Sequence, residues 1–142
     1  MNTNCSVKIL IVDDDAVARK VLGKMLAKMG FASEIACNGQ EALIELGKCP
    51  YHLVIMDIQM PVMDGIMATR MIREEQPTRP RIIMVSDCDP EIYRDICYEA
   101  GADHFLPKST RLNELKTAIN CCLGEIDMDH STEQTASCEL LA

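Results

Sequence analysis

The chain has 142 residues, is 48% hydrophobic and 25% charged, and carries a formal net charge of −8. That length fits one globular domain with a core of its own, and an acidic chain without a basic stripe argues against direct contact with DNA or RNA. The charge is uneven: residues 1–123 hold 17 acids and 14 bases, whereas residues 124–142 hold five acids and no Lys or Arg. Composition thus divides a short lead (1–5), a body (6–123) and an acidic tail (124–142). The tail has no sustained pattern, which predicts disorder.

Val7 to Val12 (VKILIV) reads as a short buried strand, and it stops at Asp13, Asp14 and Asp15. A helix follows, with Asp15 as its cap and Gly30 as its stop. Val17, Val21, Met25 and Met29 mark its apolar stripe, with Leu22 and Leu26 beside them, and Lys20, Lys24 and Lys28 line another face. Phe31 to Cys37 is a weaker strand, and Asn38-Gly39 leads into a helix ending near Leu46. His52 to Met56 is too short and apolar for a surface helix and reads as a strand buried on both faces. It runs into Asp57, then into the turn chemistry of Pro61, Asp64 and Gly65. A helix from about Ile66 to Glu75 follows, and Pro77 and Pro80 end it. Arg81 to Val85 is the fourth strand, ending at Ser86. Pro90 opens a helix that Gly101 closes. His104 to Leu106 is a fifth strand ending at Pro107-Lys108, and Ser109 or Thr110 is the expected cap of a last helix to about Leu123. Leu112, Leu115, Ile119 and Cys122 share one face of it.

Strand and helix alternate five times. That order implies an α/β fold, a doubly wound sheet of parallel strands joined by right-handed crossovers with helices on both faces. Eight cysteines are scattered without a CxxC pair or a His at zinc-finger spacing. No signal peptide or membrane-spanning run precedes the first strand. The expectation is a cytoplasmic protein without membrane insertion, in which most cysteines serve as small apolar side chains.

In a parallel sheet the strand ends share one edge, where ligands bind. Here they bring together Asp13 and Asp14, Asp57, Ser86 and Lys108. Three close carboxylates repel and raise one another's pKa unless a cation joins them. Mg2+ suits such a site, with oxygen ligands and few carboxylates. With an ammonium and a hydroxyl beside one free carboxylate oxygen, the set would receive a phosphoryl group. Asp57 would be the nucleophile, forming an acyl phosphate.

The pieces ILIVDDD, VIMDIQMPVMDG, IIMVSD and GADHFLPKS, in that order, resemble the receiver domain of two-component response regulators over about residues 6–123. The resemblance implies a flavodoxin-like sheet of strand order 2-1-3-4-5. It implies that Asp57 takes a phosphoryl group from a phosphohistidine on a histidine kinase or histidine phosphotransfer protein. It makes Asp14 a direct Mg2+ ligand and Asp13 mainly a water-mediated one, with Asp57 and the backbone carbonyl of Gln59 completing the set. Ser86 matches the switch hydroxyl, Phe105 the switch aromatic and Lys108 the phosphate-contacting lysine. Three positions depart from the family. Ser109 stands where Pro usually follows the lysine in a cis peptide, Phe105 lacks a tyrosine hydroxyl, and Asp87 stands where Ala or Gly is usual. At the pocket mouth, Asp87 is read as a gate that repels small anionic donors.

The body leaves no room for a DNA-binding or enzymatic output domain, so the expected role is a stand-alone, non-enzymatic receiver. It would signal through an unknown downstream protein or pass phosphate along a relay. The alternative is a receiver fragment of a hybrid histidine kinase. A remoter one is a haloacid-dehalogenase-type phosphatase, which needs a second Asp two residues after the nucleophile, where this chain has Gln59. A P-loop is excluded by Pro107 in place of a glycine.

Overall fold

The computed structural model describes residues 7–124. The expected lead and all of the acidic tail except Gly124 lie outside them. Ile9–Val12 (β1) and Leu53–Met56 (β3) are buried at every position. They are the central strands of a five-stranded parallel sheet of order β2-β1-β3-β4-β5. The remaining strands are Ser33–Ala36 (β2), Arg81–Ser86 (β4) and His104–Pro107 (β5). The helices are Ala16–Lys28 (α1), Gly39–Lys48 (α2), Gly65–Glu75 (α3), Pro90–Ala100 (α4) and Leu112–Gly124 (α5).

Side chains alternate across a strand, and both faces of this sheet are covered. Leu10, Val12, Val54, Met56, Ile82 and Met84 pack with Ala42, Ala68, Ile72 and Cys97 beneath α2, α3 and α4. Ile9, Ile11, Leu53, Ile55, Ile83 and Val85 pack with Leu26, Leu115 and Ile119 beneath α1 and α5. This two-sided burial is why the strands read as apolar runs.

Short polar side chains start the helices as their sequence positions suggest. Asp15, Asn38, Asp64 and Asp89 each accept a backbone N–H of the first turn, worth about 1 kcal/mol apiece. Gly101 closes α4 at φ 119°, and a side chain there would also collide with Arg73.

Two expectations are corrected. Neither Ser109 nor Thr110 caps α5. The Thr110 N–H turns back to Pro107 O at 3.0 Å, and the Arg111 N–H is taken by Glu114 Oε1 at 3.2 Å. The apolar stripe of α1 also fails to face the core as one unit: Val17 is 69% and Val21 51% exposed. Residues four apart drift about 40° per step round a helix, so a stripe from Val17 to Met29 winds away from the sheet at its start.

Among the described residues the one cis peptide is Arg79–Pro80, and Lys108–Ser109 is trans. Cys97 and Cys122 are buried in the core as small apolar groups. Cys121 is disulfide-bonded and so is not one of these free apolar thiols.

Candidate functional site

Strand pairing alone carries the first site residues to one edge. Asp13 and Asp57 follow β1 and β3 directly, and the Asp57 N–H bonds to Val12 O at 2.9 Å while the Asp13 N–H bonds to Ala36 O at 3.1 Å. Ser86 is the last residue of β4, and its carbonyl accepts the Lys108 N–H at 3.1 Å. The five residues expected to meet at this edge therefore do so.

Asp13 and Asp57 are nearly buried, at 2% and 6% exposure, while Asp14 is exposed. Each offers a carboxylate oxygen, and the three oxygens lie within 4.8 Å of one another. Lys108 Nζ reaches Asp13 Oδ2 at 3.1 Å and Asp57 Oδ2 at 3.3 Å. Burial pushes the Asp57 carboxyl above its usual range, and the Asp13 charge pushes it further, against the pull of Lys108. Burial works against the Lys108 charge, but the hydrogen bond to Asp13 and the Asp57 charge outweigh it, so its pKa is raised. One shared ammonium does not neutralise three carboxylates. The donor set is all oxygen, partly buried and in anionic excess, which fits a hard divalent cation.

Asp13 is held from both ends. Its Oδ1 accepts the Asp15 N–H at 2.9 Å, and its carbonyl accepts the Arg19 guanidinium at 2.8 Å. The loop from β3 to α3 is equally tight. Gly65 donates to Ile58 O at 2.8 Å, and any β-carbon on it would overlap the carbonyl oxygen of Asp57. Met63 donates to Pro61 O at 2.7 Å across Val62, which sits at φ 71°. That is the strained form of a three-residue turn, and it leaves Val62 81% exposed beside the site. Gln59 is exposed at the start of this loop.

Ser86 is 1% exposed, and its hydroxyl accepts the Cys88 N–H at 3.0 Å. Phe105 is already inside, 5% exposed in the core cluster beneath α4. Asp87 is exposed, and the cap of α4 is Asp89. Sequence reasoning missed the Arg19 contact, for which no local signal exists, and a groove of about 220 Å3 between α1 and α5. Val17, Val21, Leu22, Met25 and Leu115 line the groove, and it ends at Asp13 and Lys108.

Fold and site together define a response regulator receiver domain, and the family model of that description matches residues 9–120. The chain belongs to this family and is a receiver domain of two-component signalling. It is 39% identical over 132 residues to hybrid signal transduction histidine kinase G of Dictyostelium discoideum, covering 89% of this chain and 4% of that protein. It is similar to the response regulator TrrA of Thermotoga maritima in complex with Mg2+ and BeF. That match has TM-score 0.75 and 32% identity, over 82% of this chain and 99% of that one. It is also similar to a receiver solved with a partner, in the co-crystal of the Saccharomyces cerevisiae histidine phosphotransfer protein Ypd1 and the receiver domain of Ssk1. There the TM-score is 0.74 and the identity 26%, over 82% and 90% of the two chains. The chain spans a tenth or less of the length of the hybrid kinases it matches. No helix among the described residues is long and apolar enough to cross a membrane.

Proposed function

We propose that this receiver accepts a phosphoryl group on Asp57 from a phosphohistidine of a histidine kinase or histidine phosphotransfer protein, with Mg2+ held by Asp13, Asp14, Asp57 and the carbonyl of Gln59. The observation that carries the reading is the cluster of three carboxylates with Lys108 bridging two of them. An Asp57 oxygen attacks phosphorus as the bond from phosphorus to the donor imidazole nitrogen breaks, and the imidazole leaves and takes up a proton. Mg2+, when bound, offsets the charge developing on the phosphoryl oxygens. Lys108 then turns its ammonium from the carboxylates to the phosphoryl oxygens, and the Ser86 hydroxyl donates to another. The buried floor beneath Asp57 limits hydrolysis of the acyl phosphate by keeping water to one side.

In this reading the chain accepts a phosphoryl group and does not turn over a substrate. A phosphatase of the haloacid-dehalogenase kind would need a general acid where exposed Gln59 stands. Incubation with Mg2+ and acetyl phosphate followed by intact-mass measurement should show one added phosphoryl group. Asp57→Asn should show none, and an unchanged yield in that variant would remove Asp57 from the role.

The domain acts alone in this reading, in the cytoplasm, and signals by contact with a downstream protein or by relay. The hybrid kinases among its relatives support a second reading, a receiver segment of such a kinase, with identical chemistry at Asp57. Detection of the native protein at 15.8 kDa rather than as part of a much larger chain separates the two.

A further inference from the structure

Lys8 and Cys49 meet at the sheet edge opposite Asp13 and Asp57. Lys8 directly precedes β1, Cys49 ends α2, and the paired strands Ile9–Val12 and Leu53–Met56 separate the two edges. Lys8 Nζ donates to Cys49 Sγ at 3.2 Å, across 41 residues of sequence. The same ammonium lies 5.0 Å from the centroid of the Tyr51 ring, whose face attracts a cation. The main chain of Lys8 is fixed as well: its N–H donates to His52 Nδ1 at 3.1 Å, and its carbonyl accepts the His52 N–H at 2.9 Å. No carboxylate forms an ion pair with Lys8 among the described residues. A sulfur and a ring, rather than an acid, hold this ammonium.

Cys49 is a free thiol and only half-buried, whereas Cys97 is sealed in the core. A partly exposed thiol beside a cation is placed to meet an oxidant. Peroxide converts such a thiol to a sulfenic acid, which condenses with a second thiol or with a nitrogen. The backbone nitrogen that follows Cys49 belongs to Pro50 and carries no hydrogen. The N–H of Cys49 itself is turned back to Glu45 O, at 3.4 Å. The nitrogen in contact with the sulfur is Lys8 Nζ.

We propose that Lys8 and Cys49 form an oxidative modification site, at which a peroxide joins the two side chains through a sulfur–nitrogen bond. Hydrogen peroxide gives one oxygen to Cys49 Sγ, forming the sulfenic acid and one water. Lys8 Nζ, having released a proton to solvent, attacks that sulfur as the sulfur–oxygen bond breaks. The departing hydroxide takes the second proton from the nitrogen and leaves as water. Sulfur is oxidised by two electrons, peroxide is reduced to two waters, and one proton is released. The bond ties the entry of β1 to the turn before β3, and by closing a long loop it constrains the unfolded chain.

Peptide mapping of the full chain tests this. The protein is treated with dilute hydrogen peroxide, its remaining thiols are alkylated, and it is digested with trypsin without reductant. Trypsin cuts after a free Lys8 but not after one joined to sulfur. The expected product links residues 1–19, uncut after Lys8, to residues 49–70, and it is two hydrogens lighter than the two peptides together. It should be absent in Lys8→Arg, which keeps the positive charge, and in Cys49→Ser. It should also be lost when peroxide is added in urea, because only the fold brings residues so distant in sequence into contact. Absence of the product from the folded parent, or an equal yield in urea, overturns the proposal. Residues 1–8 linked to 49–70 would be a disulfide from Cys5 and would overturn it too. In the second arm, peroxide should raise the thermal midpoint of the parent by about 5 °C or more and leave those of Lys8→Arg and Cys49→Ser without that gain. An unchanged midpoint in a cross-linked parent overturns the assignment of the bond to the native fold.

Discussion

Lys108 Nζ lies 3.3 Å from Asp57 Oδ2 across 51 residues of sequence, and the same nitrogen serves Asp13 at 3.1 Å. A single cation is thus divided between two carboxylates that the sheet has drawn out of water. Each carboxylate is stabilised by Lys108 and destabilised by the other, and burial magnifies both effects.

Removing one of the two charges should therefore strengthen the metal-free fold. Asp57→Asn is expected to raise stability by about 1 kcal/mol in chelator, because burial and the Asp13 charge both oppose an ionised Asp57. Urea unfolding with and without Mg2+ checks this. Added Mg2+ should raise the midpoint of the parent more than that of the variant. A variant less stable than the parent in chelator would mean that the carboxylates are well compensated without a metal.

Asp87 follows the buried Ser86 and is exposed. A charge facing bulk water acts weakly on an incoming anion, so Asp87→Ala should speed phosphorylation by acetyl phosphate about twofold at low salt. The gain should vanish at high salt. Identical rates at low salt would show that Asp87 is no gate.

Ser86 ends β4, and Phe105 lies in the adjacent β5, packed in the core cluster beneath α4. A phosphoryl oxygen that recruits the Ser86 hydroxyl competes with the Cys88 N–H for it and loosens the start of the loop into α4. Phe105 is already buried, so the response is a shift between pre-existing packings and needs no inward swing of the ring. Amide shifts on adding a beryllium fluoride mimic should extend over residues 90–120. Shifts confined to the pocket would remove this face from signal output.

Cys97 is fully buried in α4, and burial raises its thiol pKa from 9.0 to about 11, with a smaller push from Cys88. A group whose folded pKa lies above its unfolded one contributes stability that is complete below the unfolded value and is lost as pH rises through the folded value. Thermal midpoints of parent and Cys97→Ala should therefore converge between about pH 9 and 11, where the parent loses ground that the variant cannot lose. Tyr51 and Tyr98, also raised by burial, are common to both proteins and cancel in the difference. Parallel curves would show that the thiol ionises freely in the folded state.

Much of the molecule is legible in the sequence alone. The apolar runs ending in Asp13, Asp57 and Ser86 needed no tertiary knowledge, because a strand covered on both faces must be apolar throughout. The carboxylates that close those runs fall at the sheet edge by strand direction alone. The Asp15 cap was legible because its bond is local.

What the chain could not disclose depends on rotation and approach between distant elements. The spacing of Val17 and Val21 promised core, yet the helix turns them to solvent, since only the docking of α1 on the sheet selects which part of a drifting stripe is buried. Thr110 looked like a cap, but the turn closed by Pro107 ends before α5 begins. That Lys108 divides its charge between Asp13 and Asp57, and that Arg19 reaches the Asp13 carbonyl, are likewise decisions of packing. Periodicity records a residue's local direction, whereas a shared ion or a tilted helix face exists only once separate elements share a surface.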